Sequence, residues 1–164
     1  MARLRAVVVA VLAAASLGGW WLGRTHARGV RQVRVVHVVD GDTVVVDDRS
    51  RSETVRLLGV DTPETVDPDE PVQCFGPEAS AYTKAALTGR LVRLETDVES
   101  RDRYGRLLAY VLVDGHRFND DLLRRGYARL LVIPPNGSHA RTMLDEELDA
   151  RRAGLGLWGA CETR

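Results

Sequence analysis

The chain has 164 residues, of which 45% are apolar and 28% charged, a balance that predicts one folded domain with a short appendage. This composition excludes intrinsic disorder, which requires fewer apolar residues and a strong net charge. The net charge is zero, yet residues 32–164 hold 18 basic and all 23 acidic residues, a balance of −5. Such a domain does not attract nucleic acid through its overall field, so a polyanionic substrate would require local positive charge or a bound cation.

The first element along the chain is an uncharged apolar stretch, residues 6–23, preceded by two arginines. A helix of this length is about 27 Å long, close to the thickness of a bilayer's hydrocarbon core. Trp20 and Trp21 lie near its end, where aromatic side chains favour the membrane interface. We therefore predict that residues 1–31 are an N-terminal signal-anchor or transmembrane segment with a linker. A cleaved signal peptide stays open, and either case predicts an extracytoplasmic protein, membrane-anchored or secreted.

Five segments rich in valine, threonine and leucine predict β-strands. They are residues 33–39, 43–46, 54–60, 91–96 and 107–113. The first two are separated by Asp40-Gly41, a dipeptide typical of tight turns between strands.

Three helices are predicted between and after these strands, at residues 77–87, 119–126 and 138–152. Pro77 suits a first helical position, Gly89 ends the first helix, and Asn119 and Ser138 are the expected N-caps of the other two. The element order predicts an α+β fold, a five-stranded OB-fold Greek-key β-barrel with three helices, preceded by the N-terminal hydrophobic helix. We assign the barrel to residues 32–164.

Charged residues at the ends of the predicted strands each have an ordinary structural explanation. Residues 40–43 can form a hairpin turn, 61–64 a capped turn and 102–106 a solvated turn. Arg56 is different, because it lies inside an apolar strand, where arginine is rarely buried without an anionic partner.

The combination of these residues favours a cation site. Asp42 and Asp61 lie at strand ends that a barrel can bring together, and Thr62 adds a further oxygen. Carboxylate, hydroxyl and carbonyl oxygens are the ligands that Ca²⁺ prefers.

Three further residues favour phosphodiester chemistry at the same place. Arg56 and Arg106 carry planar guanidinium groups that match phosphate oxygens in pairs. Glu64 supplies a carboxylate that can take a proton from water. Together with a cation, these groups predict hydrolysis of a phosphodiester.

Three sequence runs hold these six residues: VDGDTV at 39–44, RLLGVDTPE at 56–64 and DRYGRLLAY at 102–110. Together with a fourth run, FGPEASAYTK at 75–84, they resemble the thermonuclease, or staphylococcal nuclease-like, family. The similarity extends over residues 33–159. It implies an OB-fold, Ca²⁺-dependent nuclease that cuts DNA and RNA to 3′-phosphate products, so nucleic acid is the expected partner.

The resemblance also implies a role for each matching residue. The calcium ligands are Asp42, Asp61 and Thr62, the catalytic residues are Arg56, Glu64 and Arg106, and the substrate-binding residues are Arg103 and Tyr104. The sequence departs from the family in the loop at 131–136, which lacks the aromatic residues that contact the nucleotide in the family's reference member. Base stacking contributes roughly 1–3 kcal/mol per base, so this loop predicts altered substrate affinity.

A catalytically silent OB-fold module that binds nucleic acid and keeps Ca²⁺ for structure is the alternative to an enzyme. The presence of Arg56, Glu64 and Arg106 favours the enzyme. Nothing in the sequence indicates an obligate dimer, so we expect a monomer, attached to the membrane through residues 6–23.

The chain has two cysteines, Cys74 and Cys161. They could be two free buried thiols or a single disulfide. We predict the disulfide, because the N-terminal segment indicates export to an oxidising compartment.

Overall fold

The computed structural model describes residues 30–47, 51–66, 68–69 and 71–161. The predicted N-terminal hydrophobic helix lies outside these residues. Among the residues described, no helix combines the length and the apolar character needed to cross a bilayer.

The described chain contains eight strands and four helices. The strands are β1 Val30–Val38, β2 Thr43–Asp47, β3 Ser52–Leu57, β4 Gly59–Asp61, β5 Leu91–Glu95, β6 Leu107–Val113, β7 His116–Arg117 and β8 Arg129–Leu131. The helices are α1 Gly76–Leu87, α2 Phe118–Arg124, α3 Ala140–Arg152 and α4 Leu157–Ala160.

The five long strands form a closed barrel. They pair antiparallel in the order β3-β2-β1-β5-β6, and a parallel pairing of β3 with β6 closes the ring. This arrangement confirms the predicted OB-fold. Strand β1 begins three residues earlier than predicted, because residues 30–32 still pair with the end of β5.

Valine and leucine side chains fill the barrel. In β1, Val33 and Val35 are buried by simple alternation, and a register shift between Val35 and His37 lets Val38 face inward as well. Full burial of each such side chain contributes roughly 1.5–3 kcal/mol, so the barrel wall is a rigid support for the loops at its end.

The third predicted strand, residues 54–60, is in fact two strands. The chain leaves the barrel at Leu58, and Gly59 adopts a left-handed conformation with φ of 76° that a residue with a Cβ rarely adopts. Strand β4 then pairs with β8 outside the barrel. The break carries Asp61 away from the barrel wall to its open end.

The predicted caps at Asn119 and Ser138 are wrong. Asn119 is fully buried, where its amide accepts a hydrogen bond from Val111 N at 2.9 Å and donates one to Leu58 O at 2.8 Å. Ser138 lies two residues before α3 begins, and its hydroxyl donates a hydrogen bond to Asp97 Oδ1 at 2.6 Å. Both side chains therefore stabilise tertiary contacts instead of helix starts. Helix α4, only four residues long, lacked any sequence signal.

Candidate active site

One small cavity at the end of the barrel collects residues from several elements. The β1–β2 turn contributes to it, as do β3, the end of β4, the segment after β4 and the segment before β6. Its volume is about 90 Å³, and it is lined by Asp40, Asp42, Thr43, Arg56, Asp61, Thr62, Pro63, Glu64 and Arg106. The structure thus places all six residues expected to be catalytic or to bind metal around one cavity.

Asp42 is the most buried of the charged groups in this cavity, at 5% exposure. Its Oδ2 accepts hydrogen bonds from Thr62 N at 2.8 Å and Thr62 Oγ1 at 3.2 Å. Burial raises the pKa of Asp42 to about 6, although the Arg56 guanidinium opposes the rise. The carboxylate is therefore costly to ionise in this buried position, and a nearby cation would stabilise its charged form.

Arg56 joins the two aspartates. Its Nη2 lies 3.1 Å from Asp42 Oδ2 and 3.2 Å from Asp61 Oδ1. Its Nη1 donates to the carbonyl oxygens of Leu57 at 2.9 Å and Val60 at 2.7 Å. The two carboxylates consequently converge on one point, and the guanidinium is fixed by four acceptors.

The oxygen atoms beside this guanidinium form a donor set of the kind that a hard divalent cation such as Ca²⁺ prefers. It consists of the Asp42 and Asp61 carboxylates and the oxygens of Thr62. The set has only two carboxylates, and in the described ranges no group of three or more His, Cys, Asp or Glu is arranged to hold a metal. Gly41 makes the approach of these groups possible. A Cβ on Gly41 would lie 2.6 Å from Thr62 Oγ1, so any larger residue would force Thr62 away.

Glu64 enters the cavity from a loop that is held on both sides. Its Oε1 accepts hydrogen bonds from the backbone N–H of Thr65 at 2.7 Å and of Val66 at 2.6 Å. Its own backbone is paired with Gln73, since Glu64 N donates to Gln73 Oε1 at 3.1 Å and Gln73 N donates to Glu64 O at 2.9 Å. These contacts fix the position of the carboxylate relative to the cavity.

Arg106 is oriented by Asp102. Its Nε donates to Asp102 Oδ2 at 2.7 Å and its backbone N to Asp102 Oδ1 at 2.9 Å. Burial would raise the pKa of Asp102, but these hydrogen bonds and the charge of Arg106 hold it below its usual value. Asp102 therefore stays ionised and keeps the guanidinium of Arg106 aimed at the cavity.

A larger cavity of about 460 Å³ adjoins the first and shares Arg56 and Arg106 with it. Arg103 lies 4.7 Å from the centroid of the exposed Tyr104 ring, and both line this larger space. Its lining also includes Leu131 and Ile133. A space of this size, lined by both charged and apolar side chains, suits a nucleotide.

The comparisons with known proteins agree with this geometry. The family model described as "Staphylococcal nuclease homologue" matches residues 54–160. The chain belongs to this family. It is 44% identical over 134 residues to a thermonuclease of Staphylococcus intermedius, covering 82% of this chain and 79% of the relative. It is 42% identical over 125 residues to a thermonuclease of Staphylococcus hyicus, covering 76% and 74%. The endonuclease YncB of Bacillus subtilis is 38% identical over 141 residues, covering 83% and 67%.

In this family member the sequence analysis missed two residues near the cavity. Asp40 lines the cavity, and its Oδ1 accepts a hydrogen bond from Asp42 N at 3.0 Å. Its position two residues before Asp42 could have indicated a place in the site, although a hairpin turn explains an aspartate there equally well. Gln73 had no signal, because it lies in a polar loop and its contact with Glu64 is tertiary.

Cys74 and Cys161 form a disulfide, with Cα atoms 6.0 Å apart. Cys74 follows Gln73 directly and precedes α1, while Cys161 follows α4. The disulfide therefore anchors the far end of the loop that carries Glu64 to the C-terminal end of the domain.

Proposed function

We propose that this protein is a Ca²⁺-dependent nuclease that hydrolyses phosphodiester bonds of DNA and RNA to 3′-phosphate products. The observation that carries the proposal is the convergence of Asp42 and Asp61 on Arg56 Nη2, with Arg106 and Glu64 lining the same cavity. The relatives named thermonuclease and endonuclease support it.

The chemistry follows from the charges of these residues. A Ca²⁺ ion held by Asp42, Asp61 and Thr62 would supply positive charge to a phosphate oxygen. Arg106 donates hydrogen bonds to the remaining phosphate oxygens, and Arg56 does so through Nη2, which would be released when Asp42 and Asp61 bind the cation. These bonds become stronger as negative charge builds up in the transition state.

Glu64 acts on the attacking water. It accepts a proton from the water as the oxygen bonds to phosphorus. The P–O5′ bond breaks with its electron pair on O5′, which takes a proton from solvent, so the products are a 3′-phosphate and a 5′-hydroxyl, and Glu64 then releases its proton to solvent. The domain can bind a polyanionic substrate despite its net charge of −5, because positive charge is concentrated where the phosphate binds.

A fluorogenic DNA assay tests the proposal. We expect cleavage with Ca²⁺, loss of cleavage on adding a chelator, and a fall of about 10²–10⁴-fold in Glu64→Ala, the usual range for a general base. Glu78→Ala is the matched control, because Glu78 is an exposed acid in the first turn of α1 and lies outside the cavity. Oligonucleotide binding without cleavage in the wild type would instead identify the silent binding module, and wild-type turnover in Glu64→Ala would remove its assigned role.

The proposal includes export. Residues 1–31 would direct the domain at 32–164 out of the cytoplasm as a monomer, tethered through residues 6–23 or released. The disulfide supports this location, because such bonds persist in oxidising compartments. Cell fractionation tests it, since recovery of the protein from the cytoplasm with both thiols reduced would contradict export.

A further inference from the structure

A third cavity, of about 220 Å³, adjoins the proposed catalytic centre. It shares Asp61 and Thr62 with the catalytic cavity, whereas the larger nucleotide-sized space shares Arg56 and Arg106 with it. The third cavity and the nucleotide-sized space have no lining residue in common. The three spaces therefore form a series with the catalytic cavity in the middle.

Arg129 is the cationic side chain of this third cavity. It lies in β8, where the antiparallel register pairs it directly with Asp61 of β4. Residues paired in this way project from the same face of the two strands, with Cβ atoms about 5 Å apart. The strand pairing thus fixes a guanidinium next to the catalytic centre.

The guanidinium of Arg129 is held by an aromatic ring. It lies 4.5 Å from the centroid of Trp158, and in the described ranges it makes no ion pair with a carboxylate; Asp61, its cross-strand neighbour, pairs with Arg56 instead. Stacking uses the face of the guanidinium and leaves its N–H groups pointing outward from the edge, where they can bind an anion. Arg129 is therefore held in place and keeps its donors.

The rest of the cavity lining does not oppose an anion. Asp61 is the one carboxylate in the lining, and it already faces Arg56 Nη2 at 3.2 Å. A nucleic acid strand carries a negative charge at every nucleotide, so a strand bound through the catalytic cavity presents a phosphate on each side of the scissile bond.

We propose that this cavity is a second phosphate-binding subsite, in which Arg129 binds the backbone phosphate on the side of the scissile bond away from Tyr104. The inference rests on the proposed function, because it assumes that a nucleic acid strand occupies the catalytic cavity. It extends substrate contact beyond a single nucleotide and adds a cation that the sequence analysis did not select.

Arg151 provides a matched control. Its guanidinium also lies 4.5 Å from the Trp158 centroid, but it extends from α3 and does not line the cavity. Arg129→Gln and Arg151→Gln each remove one cation from the same ring, so they should change thermal stability similarly. Only Arg129→Gln removes the proposed phosphate contact.

Binding is measured by fluorescence anisotropy with full-length protein in mild detergent, carrying Glu64→Gln to prevent cleavage, in the presence of Ca²⁺. The probes are a labelled eight-nucleotide single strand and a labelled mononucleotide. We expect Arg129→Gln to lower the affinity for the eight-nucleotide probe about tenfold. It should also reduce the slope of log K against log salt by about 0.7, the value for one phosphate contact on a single strand. Arg151→Gln is expected to change neither, and Arg129→Lys to retain most of the binding.

The outcomes separate the subsite from the enzyme. The subsite would be overturned if Arg129→Gln and Arg151→Gln lowered the affinity for the eight-nucleotide probe equally. It would also be overturned if Arg129→Gln lowered the affinity for the mononucleotide and the eight-nucleotide probe equally. Failure of the wild type to cleave DNA would overturn the nuclease proposal alone, since binding is measured without turnover. Absence of any binding to the eight-nucleotide probe would overturn both.

Discussion

The disulfide between Cys74 and Cys161 should provide a large share of the stability of the domain. It closes a loop spanning 87 residues of sequence separation. In the chain-entropy treatment, a cross-link over a loop of this length restricts the unfolded chain and raises its free energy by about 4–5 kcal/mol at 25 °C. A domain of this size has a free energy of unfolding of only about 5–15 kcal/mol, so the bond would contribute about a quarter or more of it.

The double variant Cys74→Ser, Cys161→Ser measures this contribution. We expect its free energy of unfolding, from urea titration, to be lower by about 4 kcal/mol, with a melting temperature lower by roughly 15 °C. The wild type treated with a reductant should approach the same values, whereas a reductant should have no effect on the double variant. An unfolding free energy within about 1 kcal/mol of the oxidised wild type would refute the reasoning.

The same variant tests whether the disulfide also positions Glu64. Gln73, which pairs with the backbone of Glu64, is adjacent to Cys74. Release of the disulfide should therefore loosen this loop and lower kcat at a temperature where the variant is still folded. An unchanged kcat there would restrict the role of the bond to stability.

Two further predictions concern single residues. Gly41→Ala should lower the free energy of unfolding by about 1–3 kcal/mol and abolish cleavage, because the added Cβ would displace Thr62. Gly137→Ala is the control. Its Cβ would make only an ordinary contact at 3.5 Å, so it should change neither quantity in the same assays. Burial would raise the pKa of Asp97, but hydrogen bonds from Ser138 hold the pKa below its usual value. The ionised carboxylate therefore stabilises the folded state above about pH 4, and this stabilisation is lost as the pH falls below that. Melting temperature measured between about pH 5 and pH 3 should fall less steeply in Asp97→Asn than in the wild type, and parallel curves would contradict this assignment.

Much of the barrel could be predicted from the sequence because its strands depend on local pattern. Strand β6, Leu107–Val113, has the bounds that its apolar run predicts. The motif residues could be assigned together because the resemblance fixes their order along the chain. In both cases the information lies within a few neighbouring residues.

Hydrogen bonds between polar side chains and distant partners could not be predicted. Asn119 stands before a helical segment, where an N-cap and a buried amide look the same in sequence, and only the fold places Leu58 O and Val111 N beside it. Ser138 is a similar case, since Asp97, its partner, lies 41 residues earlier. A polar residue can satisfy either local or tertiary hydrogen bonds, and the sequence does not distinguish them.

The strand break at Leu58 is the unpredicted feature that matters most for the site. Arg56 Nη1 binds the carbonyl oxygens of Leu57 and Val60, which lie on either side of the break. Because Nη1 is occupied in this way, Nη2 is directed between the carboxylates of Asp42 and Asp61. A continuous strand would have carried Asp61 along the barrel wall, so the change of direction at Gly59 both positions the second carboxylate and orients the guanidinium that joins it to the first.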